Sequence, residues 1–122
     1  MTIAEAETSL ESNLDAVVAV VGGTWERFDV SLERNCEVSP GVAGVRNGAY
    51  RTSAEAVVAQ EKVDLVTAHW TELGYELTER ADESDVSVLK VFATTPDGAE
   101  LQFTASANAM TLDGLTACVP AD

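Results

Sequence analysis

The sequence predicts an α+β fold with two layers, in which two helices pack on one face of an antiparallel sheet of four to five strands. Three observations carry this reading. Two segments repeat apolar residues every three or four positions, several others alternate apolar and polar residues, and the links among the last strands are short. The expected order is α-β-α-β-β-β-β. At 122 residues the chain is long enough for one core, so residues 1–122 are expected to form a single domain.

The first helix is expected over residues 3–21. Ile3, Ala6, Leu10, Leu14, Val17, Val18 and Val21 make one apolar stripe, and Glu5, Glu7, Glu11 and Asp15 fall outside it. Gly22-Gly23 stops it. From Trp25 to Val38 the period becomes two. Phe28, Val30, Leu32, Cys36 and Val38 share one parity, broken by Arg34, as in a strand with one wet face. Cys36 then points to the apolar side, where a disulfide would lie against the core.

Residues 39–51 hold one proline and three glycines and read as a long loop with a short strand around Val45 or Tyr50. The second helix is expected to start at Thr52 or Ser53, because Thr52 and Glu55 have capping-box spacing. Its stripe runs through Ala56, Ala59, Val63, Val66, Trp70 and Leu73 to Gly74, with Trp70 in the core. Strands follow over 75–81 and 86–95, separated by the turn Asp82-Glu83-Ser84-Asp85. Pro96-Asp97-Gly98 is a hairpin signal, and Ala99 to Asn108 alternates without a break. The last strand is expected from Met110 to about Cys118, with Asp113-Gly114 as a bulge or second turn. The sheet face away from the helices is expected to be polar, with Glu76, Thr78, Glu100, Gln102, Thr104 and Ser106 on it.

Seven Lys and Arg against 21 Asp and Glu give a net charge of −14. Such a surface repels phosphate backbones and anionic bilayers, so nucleic acid is not an expected partner. The longest apolar run, Ala16 to Val21, is far short of a membrane-spanning helix. No Lys or Arg precedes Arg27, so the positive start of an export signal is missing; a trimmed start is the expectation.

Cys36 and Cys118 are too far apart in sequence for a CxxC redox or zinc motif. Three readings of the pair stand: a disulfide in a secreted domain, two buried thiols in a cytosolic one, or a reactive thiol. The third would need a base or cation nearby, and Arg34 shares a strand face with Cys36.

Catalytic signals are sparse. His69 is the single histidine and lies off the main helix stripe, so it reads as a solvent-facing or half-buried side chain. Asp82, Glu83 and Asp85 cluster without the glycine-pinned spacing of a calcium loop. The glycines match neither GxxxxGK[ST] nor GxGxxG. No catalytic residue, metal ligand or cofactor is therefore assigned. Trp25, at a helix-to-strand corner, and Tyr50, in the long loop, are the candidates for ligand contact.

Several pieces together resemble a known set. They are the N-terminal amphipathic helix, Gly23-Thr24-Trp25, a strand ending at Cys36, the stretch Trp70-Thr71-Glu72-Leu73-Gly74-Tyr75-Glu76-Leu77, the Pro-Asp-Gly hairpin, and Cys118-Val119-Pro120. The pattern resembles the mature domain of small secreted lipoproteins from actinobacteria, a set with no assigned activity. The lipid-bearing cysteine of such proteins is missing here. The resemblance implies a cell-envelope location, a lipid anchor on the full-length precursor and a Cys36–Cys118 bridge, and it implies no active site.

Two function classes follow. The first is a non-enzymatic cell-envelope or secreted accessory or binding domain with one disulfide and a protein or small-molecule ligand. The alternative is a cytosolic acidic protein, such as an immunity protein or a nucleic-acid mimic, that binds a basic partner.

Overall fold

A computed structural model describes residues 1–28, 34–81 and 83–121. Helix α1 spans Ile3–Val21, the bounds its periodicity predicts. Thr2 caps it reciprocally: its hydroxyl accepts from the Glu5 amide (3.1 Å) and its amide donates to the Glu5 carboxylate (2.9 Å). The bond from the Thr2 amide, then that with its hydroxyl and the nearby N-terminus, hold the Glu5 carboxyl below the usual range. Gly22, at φ 70°, ends the helix. Ala6, Leu10, Leu14, Val17 and Val21 form its buried stripe.

The extended segments are β1 (Glu26–Phe28), β2 (Arg34–Ser39), β3 (Val42–Arg46) and β4 (Gly48–Ser53). Helix α2 covers Ala59–Glu72. Strands β5 (Glu76–Ala81), β6 (Leu89–Thr94), β7 (Glu100–Ala105), β8 (Met110–Leu115) and β9 (Val119–Pro120) complete the order. A six-stranded sheet runs β1-β4-β8-β7-β6-β5, and a three-stranded sheet runs β2-β3-β9. Neighbouring strands in both sheets pair antiparallel.

The α+β class and the succession of helix, extended segment, helix and four strands are as the sequence predicts. The extended segment between the helices is richer than expected. Trp25 to Val38 supplies two strands in different sheets rather than one; Asp29, Val30, Ser31, Leu32 and Glu33 lie outside the described residues. The loop expected over 39–51 is strands β3 and β4, joined through Asn47. Asn47 donates its amide to Thr116 Oγ1 (3.0 Å) and accepts from the Thr116 amide (2.8 Å). These bonds hold the point where the chain passes from the small sheet to the large one.

Helix α2 begins at Ala59, not at Thr52 or Ser53. Those two residues belong to β4 and pair with Thr111 and Met110 of β8. Glu55 caps no helix; its carboxylate accepts from the Thr24 amide (3.0 Å). Asp113-Gly114 is neither bulge nor turn, because β8 pairs in unbroken register with β4 and β7 through both residues. Gly114 is small for a packing reason: a Cβ there would come within 2.5 Å of Leu10 Cδ1. The Pro96-Asp97-Gly98 turn is as expected, with Gly98 at φ 94°.

The core lies between the helices and one face of the large sheet. Leu14, Val17, Val66, Trp70, Val91, Phe103 and Leu112 are buried in it. Arg51 of β4 also enters this layer. Its guanidinium donates to Asp15 (2.5 Å) and Glu11 (2.6 Å) on α1, and its side chain is only 6% exposed. Tyr75, just past α2, donates its hydroxyl to Asn13 of α1 (2.6 Å).

Candidate functional site: the open face of the large sheet

Side chains alternate across a strand, so each core residue leaves its neighbours on the other face. On β4, Arg51 and Ser53 are buried; on β8, Met110, Leu112 and Gly114 are; on β7, Leu101, Phe103 and Ala105. The opposite parity builds the open face. Register places Phe28, Tyr50, Asp113, Gln102, Phe92 and Thr78 in one row across all six strands. A neighbouring row holds Gly48, Leu115, Glu100, Thr94 and Glu76.

The middle of these two rows, on β4, β8, β7 and β6, lines a cleft of about 640 Å³, with Phe28, Thr78 and Glu76 outside it; the volume is within the size range of small-molecule sites. Its walls include Tyr50, Phe92 and Leu115, and its polar groups include Asp113, Gln102 and Glu100. The Phe28 and Tyr50 rings meet at 5.7 Å between centroids, tilted by 43°. The Arg80 guanidinium lies 4.4 Å from the centre of the Phe92 ring. Glu100 is paired with Arg46 of the small sheet at 3.5 Å. Asp113 has no side-chain hydrogen bond or ion pair among the described residues, and burial pushes its carboxyl above the usual range. The expected polar face therefore carries aromatic rings and a half-buried carboxylate.

Tyr50 lines this cleft, although on a strand rather than a loop. Trp25 does not line it; its indole donates to the Gly22 carbonyl (2.9 Å) and packs against the core. Cys36 and Cys118 are bonded to each other, with Cα atoms 6.1 Å apart, and link β2 to the segment before β9. The bridge lies beside Gly44, where a Cβ would meet Cys118 Sγ at 2.6 Å. His69 is half-buried on α2, away from the cleft. Of the acidic turn, Asp82 lies outside the described residues, Glu83 is exposed, and Asp85 accepts from the Ser87 amide and hydroxyl. Among the described residues no group of three or more His, Cys, Asp or Glu is placed to hold a metal, and no helix is long and apolar enough to cross a membrane.

Sequence reading missed Asp113, Gln102 and Phe92 as site residues. The signal for Asp113 was the parity of Met110, Leu112 and Gly114 against Thr111, Asp113 and Leu115, which continues straight through the Asp-Gly pair.

No family model matches this sequence, and no curated protein does. Among solved structures, the fold is similar to that of a DUF4853 family protein from Actinomyces odontolyticus, with TM-score 0.64 and 15% identity. The match covers 88% of this chain and 60% of that one, so this chain spans less than two-thirds of its neighbour's length. The fold thus has an actinobacterial counterpart, and that counterpart's name indicates no enzymatic family.

Proposed function

We propose that this chain is a non-enzymatic accessory or binding domain of the cell envelope or of the secreted fraction, and that the open face of its large sheet takes the ligand. The observation that carries this reading is the cleft, where a half-buried carboxylate with no partner among the described residues sits between aromatic walls on a face that neither described helix covers. A buried charge without a partner is a standing cost to the fold, and such groups concentrate at functional sites. Rings, an amide and a carboxylate suit recognition. The Cys36–Cys118 bridge supports work in an oxidising compartment. A lipid anchor on a longer precursor belongs to the same reading. The alternative, a cytosolic acidic partner for a basic protein, draws support from the charge of −14, and the disulfide weighs against it.

The test is a protein-observed NMR titration against a chemically mixed fragment set. The reading expects shifted amides to cluster on β4, β8, β7 and β6 around Asp113. Shifts spread over the helices, or none on the sheet face, would overturn it.

A further inference from the structure

We infer that the cleft selects a small organic cation, with an ammonium or guanidinium group on Asp113 and an apolar body against Tyr50, Phe92 and Leu115. The inference rests on the open face being the ligand site. Three observations point to a cation. Of the two cleft carboxylates, Glu100 is held by Arg46, and Asp113 has no partner among the described residues. The ring beside it across the strand pair is Tyr50, and a carboxylate next to an aromatic face is the pairing that recognises alkylammonium and guanidinium groups. The chain itself shows this preference on the same row, where Arg80 lies over Phe92. The net charge of −14 adds a long-range field that concentrates cations and repels anions.

The size of the site argues for a small molecule. Adjacent strands are about 4.8 Å apart, so Tyr50 and Phe92, three strands apart, stand about 14 Å from one another. A charged head at Asp113 leaves space for an aryl or alkyl body toward Leu115.

The experiment uses the full chain, isotope-labelled, and four probes. Phenethylammonium carries the inferred head group; phenethyl alcohol and hydrocinnamate are its neutral and anionic counterparts; maltotriose represents neutral saccharides. Phenethylammonium is expected to shift the Tyr50, Gln102, Asp113 and Leu115 amides saturably, and the others to shift them far less. Asp113→Asn should weaken the amine about tenfold or more, the worth of one charge-assisted hydrogen bond. Tyr50→Leu, which keeps an apolar side chain without the ring, should weaken it severalfold. Glu76→Gln, an exposed acid on the same face, should leave it unchanged.

Equal weakening by Asp113→Asn and Glu76→Gln would mean diffuse attraction to an acidic surface and would overturn the inference. Binding of the alcohol or the saccharide at the same amides, as strong as that of the amine, would overturn the cation while leaving the cleft as the ligand site. No response of the cleft to any probe would count against both.

Discussion

Arg51 sits at the junction of helix and sheet, and it is the cation on which the acidic face of α1 converges. Its side chain is 6% exposed and bonded to Glu11 and Asp15, so its removal leaves a void and takes away the Asp15 partner, while Glu11 keeps its pair with Arg27. Arg51→Ala should cost about 2–4 kcal/mol in denaturant unfolding, below the range for fully buried pairs because Asp15 is itself 65% exposed. Asp15→Ala should cost under about 1 kcal/mol for the same reason. Two of the tightly packed glycines, Gly114 and Gly44, separate in the same way. At Gly114 the obstacle to a Cβ is the flexible tip of Leu10, so Gly114→Ala should cost about 1–3 kcal/mol. At Gly44 the obstacles are the Cys118 sulfur and the Val119 carbonyl, at 2.6 and 2.7 Å, neither of which can swing aside. Gly44→Ala should therefore destabilise more than Gly114→Ala, and thermal unfolding of the two variants ranks them directly.

At the scale of elements, legibility followed how local the decisive forces are. Helix α1 was readable to the residue because its stripe, its first-turn acids and its terminal glycines all act within a few positions. The reciprocal Thr2–Glu5 cap adds to this; Thr2→Ala should cost about 1 kcal/mol and raise amide exchange in the first turn. The start of α2 was misread because Thr52 and Glu55 have helix-capping spacing, whereas pairing of Thr52 with Thr111 commits that stretch to β4. No sequence-local signal announces a partner 59 positions away. Residues 39–51 looked like a loop because glycine is read as a breaker. Gly41 does serve a turn, at φ 80°, but Gly44 is there for close approach to the disulfide. For the same reason Asp113-Gly114 reads in the sequence as a bulge or second turn, although the register runs through it unbroken. Tyr50 is legible as a contact candidate and the strand from Met110 as a strand, but reading 39–51 as a loop and Asp113-Gly114 as a break in β8 leaves the two residues in no common row, whereas the cysteine pair is legible as a candidate bridge.

For the molecule as a whole, the disulfide closes the longest loop that matters. Its 82-residue separation corresponds to about 4–5 kcal/mol of loop-closure entropy, against a typical domain stability of about 5–15 kcal/mol. Reduction should lower the denaturation midpoint accordingly. The amides of β2, β3 and β9 should lose exchange protection first, with those of the six-stranded sheet persisting. The cleft acts on stability in the opposite direction. Burial raises the Asp113 carboxyl above its unfolded value, so the folded state holds that proton more tightly than the unfolded one. This carboxylate therefore lowers stability as pH rises through the carboxylate range, and the deficit is complete at neutral pH.

The most direct measurement is the stability of Asp113→Asn beside the unaltered protein, followed by chemical denaturation from acidic to neutral pH. A carboxylate kept for a ligand predicts that the variant is the more stable of the two at neutral pH, with the difference shrinking as acid protonates Asp113. A variant less stable than its parent at neutral pH would mean that Asp113 holds the fold together, and would contradict the account of the cleft.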